Sequence, residues 1–188
     1  NTACSQCGAL ASTLNTASNN KNKCLCSPGA EGDASDGSSD CTACDKGKYK
    51  DSLANNANCS NCNSNSDTES TGSVTASDCK CIAGYEGDAA ANTCAECDKG
   101  TYKSALANAA CTNCVTNAIT TDKGSTAITA CLCDKGYGGD ATDGTGCAEC
   151  SLGYWKSVQT NTACSQCGAL ASTLNTASDN GDKCLCSP

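Results

Sequence analysis

The cysteines of this chain recur in a fixed spacing, and that spacing constrains the fold more than any other feature. There are 22 cysteines among 188 residues, about 12%, a density typical of secreted disulfide scaffolds. The repeated pattern is Cys-x2-Cys-x12–14-Cys-x2-Cys-x16-Cys-x-Cys, and equivalent units start at Cys41, Cys94 and Cys147, equally spaced along the chain. The Cys-x16-Cys gap keeps its length in all four copies while its content varies, as expected of a loop held at both ends by cross-links.

A longer period lies above this repeat unit. Residues 161–188 repeat residues 1–28 with three differences, at Asn19/Asp179, Lys21/Gly181 and Asn22/Asp182. We therefore expect the chain to be a piece of a longer array. The predicted domains are a partial module at 1–41, complete modules at 44–94 and 97–147, and a partial module at 150–188 that repeats the first.

The remaining apolar content cannot fill one continuous core. Leu, Ile and Val make up only about 9% of the chain, far below the roughly 20% under which an unlinked chain stays disordered, and there is no Phe and no Met. This composition excludes Rossmann, barrel and helix-bundle enzymes of ordinary type. A cross-link that closes a loop of about 15 residues contributes roughly 3 kcal/mol. The predicted fold class is therefore small, disulfide-rich and mostly irregular, with short β-hairpins in tandem modules stacked as an elongated rod.

Two other uses of the cysteines, a zinc site and a redox site, fit the pattern less well than disulfides. A Cys4 zinc site needs two knuckles with two-residue reach, whereas the second knuckle here is Cys-x-Cys. A redox site would be a single Cys-x2-Cys pair in a βαβ pattern, whereas this pair recurs seven times. Disulfides are the favoured interpretation, and they imply an oxidising, extracellular or cell-surface location.

Charge and composition exclude several function classes. The net charge of −8 without any basic run argues against nucleic acid as a partner, and no apolar stretch reaches the length of a membrane span. The chain has no His, the usual general base. We therefore predict that it is not an enzyme, that it holds no metal of the zinc type and that this segment does not insert into a membrane.

Two sequence motifs resemble known extracellular modules. The segment from Cys79 to Cys94, Cys-x-Cys-x-x-Gly-Tyr-x-Gly-Asp followed by Cys, resembles the C-terminal half of an epidermal-growth-factor-like module. The order Cys-x-x-Gly-x-Tyr-Lys, Cys-x2-Cys, Cys-x-Cys-x-x-Gly-Tyr is similar to the cysteine-rich ectodomain repeats of ephrin receptors. Arrays rich in Ala, Ser, Thr and Asn also resemble ciliate and other protist surface antigens.

The growth-factor-like resemblance implies a disulfide pairing of 1–3, 2–4 and 5–6 in each module. Carried over, it implies Cys44–Cys62, Cys59–Cys79, Cys81–Cys94, Cys97–Cys114, Cys111–Cys131 and Cys133–Cys147, with Cys26–Cys41 closing the first partial module. The first two bonds of a module can also run 1–2 and 3–4, as Cys44–Cys59 and Cys62–Cys79, and sequence alone does not decide. In both arrangements Cys186 lacks a partner, as does Cys7 in the first arrangement or Cys4 in the second.

A few surface residues are candidate modification or ligand sites. Asn58, before Cys59 and Ser60, lies in the one N-glycosylation sequon, and the Ser- and Thr-rich loops are candidates for O-linked sugars. The Asp33/Asp36/Asp40 and Asp140/Asp143 groups are candidates for calcium; otherwise no cofactor is expected. The aromatic residues are expected to form the packed centre of each module or to stack at its junctions: Tyr49, Tyr85, Tyr102, Tyr137, Tyr154 and Trp155.

The predicted function is structural. We expect a repeat protein of an extracellular filament, appendage or surface coat that associates with itself end to end and carries glycans. The alternative is a ligand-binding receptor or adhesin stalk, in which one unit should depart from the repeat. The nearest departure is the segment 151–155. In this segment we interpret Trp155 as replacing the Lys that follows Tyr in the other repeats.

Overall fold

A computed structural model describes residues 6–15, 23–36 and 40–186. Within these ranges the regular structure consists of β-strands of two to four residues and three single turns of 3-10 helix, and no α-helix occurs. None of the described segments is a helix long and apolar enough to cross a membrane. By its internal contacts the chain divides into two units, one of Asn1–Ile82, Gly87–Ala95 and Leu106–Ala109, the other of Ala83–Glu86, Glu96–Ala105 and Ala110–Pro188.

The strands of the first unit form antiparallel two-stranded hairpins. The pairs are β1 (Ala11–Ser12) with β2 (Leu25–Cys26), β3 (Ala30–Glu31) with β4 (Thr42–Ala43), β5 (Lys48–Tyr49) with β6 (Ser60–Asn61), and β7 (Ser66–Thr68) with β8 (Cys79–Cys81). A 3-10 turn at Ala76–Asp78 leads into β8. Each hairpin is too small to be stable alone, so these strands depend on the cross-links around them.

The second unit repeats the same hairpins. Two short strands are β9 (Tyr85–Glu86) and β10 (Ala95–Glu96). The pairs are β11 (Thr101–Tyr102) with β12 (Thr112–Asn113), β13 (Ala118–Thr120) with β14 (Cys131–Cys133), β15 (Tyr137–Asp140) with β16 (Gly146–Glu149), β17 (Tyr154–Trp155) with β18 (Ser165–Gln166), and β19 (Ala171–Thr173) with β20 (Cys184–Cys186). Turns of 3-10 helix at Ile128–Ala130 and Gly181–Lys183 precede β14 and β20. The predicted fold class, a disulfide-rich chain of short hairpins in tandem repeats, is confirmed.

The glycine of the Cys-x-x-Gly segment has a structural reason beyond turn formation. Gly136 has a φ of +82°, and a Cβ built there would lie 2.4 Å from the carbonyl oxygen of Ala177. Gly84 has the same relation to the carbonyl oxygen of Gly124, also at 2.4 Å. Only a residue without a side chain allows the two backbones to come this close.

The buried cores are small and contain cysteines and alanines. One cluster comprises Cys24, Cys26, Ala30, Ala34 and Cys41, and another comprises Cys131, Cys133, Ala141 and Cys147. Tyr102 and Tyr137 are half-buried against the second cluster. The largest fully buried side chains of the described residues are Thr68, Thr120 and cysteines. Tyr102 and Tyr137 therefore cover this disulfide cluster rather than form its centre, and stacking of the aromatic rings at module junctions stays a prediction.

The described part of the chain contains ten disulfides, all between cysteines that are consecutive in the sequence. Their Cα–Cα distances are 5.4–5.8 Å, within the normal range. The hairpin-closing bonds Cys26–Cys41, Cys81–Cys94 and Cys133–Cys147 are present as predicted. The Cys-x16-Cys gap is closed at both ends each time, by Cys7–Cys24, Cys62–Cys79, Cys114–Cys131 and Cys167–Cys184.

The pairing carried over from growth-factor-like modules is wrong in this structure. The predicted bonds Cys44–Cys62, Cys59–Cys79, Cys97–Cys114 and Cys111–Cys131 are absent. The structure instead contains the bonds Cys44–Cys59, Cys62–Cys79, Cys97–Cys111 and Cys114–Cys131. The remaining bond is Cys150–Cys164.

The local strand geometry explains this pairing. Five of the Cys-x2-Cys pairs flank a two-residue strand, as Cys59 and Cys62 flank β6, whereas Cys147 lies within the four-residue strand β16. Side chains three residues apart in a strand point to opposite faces, so one cysteine reaches the preceding loop and the other the following loop. Cys186 is exposed and free, and the predicted orphan Cys4 lies outside the described residues.

Candidate functional site

Three lysines, one at the same position of each successive repeat, are buried in the structure. Lys50, Lys103 and Lys156 have exposed fractions of 3%, 5% and 3%. Each directly follows the first strand of a hairpin, and its backbone bridges two segments. For example, the Lys156 amide donates to Ser178 O and its carbonyl accepts from Gly136 N. Lysine is rarely buried unless its ammonium is fully partnered.

Backbone carbonyl oxygens provide those partners. Lys50 Nζ donates to the carbonyl oxygens of Cys26, Ala30 and Ala54 at 3.3, 2.6 and 2.9 Å. An ammonium has three donors, so all three are used. Lys103 Nζ donates to Tyr85 O at 2.5 Å.

The third lysine is held in the same way. Lys156 Nζ donates to Tyr137 O at 2.8 Å and to Thr160 O. Lys50 and Lys156 thus join the Gly-x turn of one repeat to the loop that opens the next repeat, and Lys103 contacts the equivalent turn at Tyr85.

Burial and a nearby carboxylate shift the pKa of each of these ammonium groups in opposite directions. Loss of solvent lowers the pKa of Lys50, Lys103 and Lys156, and this is the larger effect. A carboxylate partly offsets the lowering of each pKa. Glu31 acts on Lys50 and Glu86 on Lys103.

The third copy places its carboxylate differently. Gly138 stands at the position of Glu31 and Glu86, and Asp134 is the acidic residue that raises the pKa of Lys156. Asp134 Oδ1 also accepts from Gln159 Nε2 at 2.9 Å. The buried charge is therefore compensated in every copy, although the compensating residue moves.

An asparagine five residues after each lysine holds the Cys-x-Cys strand. Asn161 Oδ1 accepts from Cys133 N and Ala141 N at 3.0 and 3.2 Å, and its Nδ2 donates to Cys131 O at 3.0 Å. Asn55 makes the same three bonds to Cys26 N, Ala34 N and Cys24 O, and Asn108 makes them to Cys81 N, Ala89 N and Cys79 O. Each amide thus replaces a third strand at the edge of a two-stranded hairpin.

A buried threonine completes the set. Thr68, Thr120 and Thr173 accept a hydrogen bond at Oγ1 from Gly47 N, Gly100 N and Gly153 N at 3.0, 2.9 and 3.1 Å. Thr68 and Thr120 also donate to the carbonyl two residues later. We call the buried Lys, Asn and Thr of each copy the locking residues: Lys50, Asn55 and Thr68; Lys103, Asn108 and Thr120; Lys156, Asn161 and Thr173.

Sequence reasoning missed the locking residues and misplaced one aromatic. Trp155 pairs with Ser165 as Tyr49 pairs with Ser60, so Trp155 replaces the Tyr and the following Lys156 is retained. A Cβ at Gly181 would lie 2.9 Å from the Trp155 ring, so the larger ring packs on a glycine. The signal available in the sequence was the exact recurrence of Lys and Asn at a fixed distance from the cysteines.

The predicted surface sites lie apart from the locking residues. Asn58 is exposed in a loop before Cys59, and its glycosylation stays a prediction. Asp33 Oδ1 accepts from Ser35 N, and hydrogen bonds including this one lower the pKa of Asp33. Hydrogen bonds to Thr145 likewise lower the pKa of Asp143.

Three aspartates of the predicted calcium groups, Asp33, Asp140 and Asp143, are therefore engaged in turns. Asp140 Oδ1 accepts from Thr142 N and Oγ1 at 2.8 and 2.7 Å. Among the described residues no group of three or more His, Cys, Asp or Glu side chains is placed to hold a metal ion. Calcium binding by Asp33, Asp36 and Asp40 or by Asp140 and Asp143 stays a prediction.

Comparison with known proteins identifies the repeat. The model of a family described as tyrosine-protein kinase ephrin type A/B receptor-like matches residues 32–79 and 84–131, just over half of the chain. Cysteine repeat modular protein A of Toxoplasma gondii is 34% identical over 124 residues. That alignment covers 61% of this chain and 4% of the Toxoplasma protein.

Proposed function

Because the chain belongs to the tyrosine-protein kinase ephrin type A/B receptor-like family of cysteine-rich repeats, we propose that it is a structural element of an extracellular filament, appendage or surface coat. The observation that carries this proposal is the recurrence of the locking residues. Three copies use the same buried Lys and Asn to tie the Cys-x-Cys strand to the next loop. A chain whose function is to bind one ligand at one site does not need the same locking residues in every repeat.

The proposed mechanism is mechanical. In repeat proteins each unit interacts with its neighbours, and stability adds along the array. Each disulfide joins cysteines that are close in the sequence, as Cys7–Cys24 and Cys81–Cys94 do, and so limits how far each segment extends under load. The buried ammonium, bound by carbonyl oxygens, resists separation because an unpaired charge in a poorly solvated site is costly.

An oxidising location follows from the same chemistry. Disulfides such as these persist outside the cell and are reduced in the cytosol. We propose a secreted or cell-surface protein whose net charge of −8 keeps neighbouring chains apart. Self-association end to end, and sugars on Asn58 and on the Ser- and Thr-rich loops, are part of this proposal.

Electron microscopy of the native assembly tests the proposal. We expect unbranched fibres whose axial repeat matches the long period of the sequence, in which residues 161–188 repeat residues 1–28. That form should be lost after full reduction and alkylation. Isolated compact particles, or fibres that survive reduction unchanged, would contradict the structural role.

Force spectroscopy on the single chain tests the mechanism. Replacing Lys50, Lys103 and Lys156 by Met should lower the force at which the segments between disulfides extend. The matched control replaces three exposed lysines, Lys46, Lys99 and Lys135, and should leave the force unchanged. An equal effect of both sets would show that the buried ammonium groups do not bear load.

A receptor or adhesin stalk is the second candidate function. It is favoured by one observation, an exposed aromatic beside a groove in the second unit: Tyr154 is 37% exposed. This observation concerns one repeat alone, whereas the locking residues recur, so we place the structural role first.

A further inference from the structure

One surface of the last hairpin, β19–β20, is apolar and exposed. Ser172 lies opposite Leu185 on this surface, whereas the adjacent pair, Thr173 opposite Cys184, points inward, since Thr173 is only 3% exposed. The outward pair is surrounded by three leucines with exposed fractions of 85%, 76% and 49%, which we call the second leucine face: Leu170, Leu174 and Leu185. Clustered exposed side chains of this size are typical of interaction sites.

The first hairpin, β1–β2, carries the same residues. Leu25 lies opposite Ser12, and Leu10 and Leu14, before and after Ser12, are 49% and 73% exposed. We call Leu10, Leu14 and Leu25 the first leucine face. The equivalent hairpins of the repeats between the two faces carry mostly polar side chains at these positions: Asn65, Glu69 and Lys80 in β7–β8, and Asn117, Thr121 and Leu132 in β13–β14. The leucine face therefore follows the long period of the sequence rather than the shorter repeat unit.

The turn that begins each face does not require leucine. Leu10 and Leu170 have φ angles of +59° and +63°, and Asn65 and Asn117 have the same left-handed conformation at the equivalent position, with φ angles of +58° and +61°. Asparagine adopts this conformation at less cost than leucine, because its short polar side chain forms local hydrogen bonds. Leucine in both faces therefore works against the local backbone, which points to a role outside the fold.

Neighbouring repeats of the same chain leave the faces uncovered. Leu14 is 73% exposed although the following hairpin, β3–β4, is present, and Leu174 is 76% exposed although the preceding hairpin, β17–β18, is present. Glu69 and Thr121 hold the same position in repeats that have a described repeat on both sides, and they are exposed as well. A partner that covers the leucines must therefore come from outside these repeats.

The segments that carry the two faces differ in charge. Residues 161–188 repeat residues 1–28 except at three positions, and each of the three differences makes the second segment more negative. The first segment contains two lysines and no Asp or Glu, whereas the second contains two aspartates and one lysine. The two faces thus share their leucines and have local charges of opposite sign.

The structure shows how these charges are compensated. In the second segment Lys183 pairs with Asp179 at 2.6 Å, and Asp182, three residues before Leu185, is exposed. In the first segment the equivalent Lys23 is exposed, and Asn19 stands at the position of Asp179. A cation therefore lies beside the first leucine face and a carboxylate beside the second, and such opposite charges favour a specific pairing of the two surfaces.

We propose that the first leucine face of one copy of this chain binds the second leucine face of another copy. The leucines of the two faces pack together, and Lys23 of one copy approaches Asp182 of the other. The net charge of −8 opposes contact through most other surfaces, whereas here apolar side chains and opposite local charges occur together. The pairing rests on the proposed self-association and assigns the surfaces that it uses.

Sedimentation velocity of the full chain over a range of concentrations tests the pairing. All chains carry Cys4→Ser and Cys186→Ser, so that disulfides between chains do not contribute. We expect this parent chain to associate reversibly as its concentration rises. The concentration at which half of the chain is associated is the quantity compared between variants.

Two variants each remove one face by using residues that another repeat accommodates. The leucines are replaced by the equivalent residues of β13–β14, Asn117 and Thr121. The first-face variant carries Leu10→Asn and Leu14→Thr, and the second-face variant carries Leu170→Asn and Leu174→Thr. Each variant alone should associate at least about tenfold more weakly than the parent chain, the factor that about 1.4 kcal/mol provides. An equimolar mixture of the two should form dimers again, because each supplies the face that the other lacks.

A charge variant and a control complete the set. Asp182→Asn carries the residue of the first segment and should weaken association about threefold, the size expected of an exposed ion pair. The control combines Val74→Thr with Ile128→Ala, two exposed apolar side chains outside the leucine faces. Their replacements are again the equivalent residues of another repeat, Thr126 and Ala76. The control should associate as the parent chain does.

Three outcomes would overturn the pairing. The first is a single-face variant that associates as strongly as the parent chain, which would show that its missing face is not used. The second is an equal loss of association in the control. The third is a parent chain that stays monomeric at every concentration, and binding of that monomer to phosphatidylcholine vesicles would assign the leucine faces to a lipid surface. The loss of fibre form after reduction tests the structural role separately, so failure of the pairing would leave that role standing.

Discussion

Two strands of the second unit share the sequence Cys-Leu-Cys and differ in burial. β14 and β20 both pair antiparallel with a preceding strand in the same register, Thr120 opposite Cys131 and Thr173 opposite Cys184. Cys131 and Cys133 of β14 are fully buried. In β20, by contrast, Cys184 is half-buried and Cys186 is exposed without a disulfide.

The difference lies in what covers the strand. Over β14, Asn161 bonds to the backbone of Cys131 and Cys133, and Cys133 is joined to Cys147. Over β20, no described residue makes the bonds that Asn161 makes over β14. The comparison teaches that strand pairing is local, whereas burial of the Cys-x-Cys strand comes from a segment well beyond it in the chain, such as the one that contains Asn161. Each repeat therefore completes the one before it.

Removing the covering disulfide should have the largest effect. We expect Cys133→Ser combined with Cys147→Ser to lower the free energy of unfolding by about 2–5 kcal/mol, measured by urea denaturation. Cys186→Ser is the matched control, because it removes a thiol that makes no disulfide and should change the free energy by less than about 0.5 kcal/mol. Similar losses of unfolding free energy in both variants would mean that the Cys133–Cys147 disulfide does not stabilise β14.

Removing the covering asparagine should have the next largest effect. Asn161→Ala deprives Cys133 N and Ala141 N of an acceptor and Cys131 O of a donor. Leaving buried polar groups unpaired costs about 1–3 kcal/mol. Hydrogen exchange of the Cys133 and Ala141 amides should accelerate while that of Cys186 stays unchanged. The exposed Asn113→Ala serves as the control, and uniform acceleration across both strands would refute a local cover.

The buried lysine predicts a pH dependence. Burial lowers the pKa of Lys156 in the folded chain below the ordinary value of about 10.4. Between those two values the unfolded chain binds more protons, so stability should rise with pH in that window. Below the lowered pKa both states carry the charge, and this contribution no longer changes with pH.

Lys156→Met should remove that rise and should cost about 1 kcal/mol at neutral pH through the lost carbonyl bonds. The comparison is with Lys135→Met, an exposed lysine, and both are made with Cys186→Ser to prevent thiol exchange at high pH. The slope of unfolding free energy against pH is the measurement, and parallel slopes in the two variants would contradict the assignment.

Cysteine spacing alone predicted the clamped Cys-x16-Cys gap, because a loop closed at both ends keeps its length. The hairpin-closing bond of Cys133 and Cys147 was implied by the resemblance to growth-factor-like modules. The choice between the two pairings was not readable, because it depends on which face of a two-residue strand each cysteine occupies. Only the local backbone of β6 and its equivalents decides that.

The locking residues were not predicted because their types usually lie at the surface. A lysine after a tyrosine, as at Lys103, reads as a solvated charge, and nothing local distinguishes it from the exposed Lys99. Its burial depends on carbonyl groups of an earlier part of the chain, such as Tyr85 O.

The smallest expected effect comes from two threonine substitutions. They test whether the pairing of β14 and β20 with their partner strands is independent of the segment that covers β14. Thr120 and Thr173 lie on the partner strands of β14 and β20, and each accepts from a glycine amide, at 2.9 and 3.1 Å. Thr120→Val and Thr173→Val should therefore cost the same, about 1 kcal/mol each, as measured by thermal and urea unfolding. The exposed Thr112→Val should be close to neutral. A much smaller loss for Thr173→Val would mean that the hairpin of β20 is itself weakened, and that cover and pairing are not independent. Equal losses would place the difference between the two strands entirely in the segment that lies over β14.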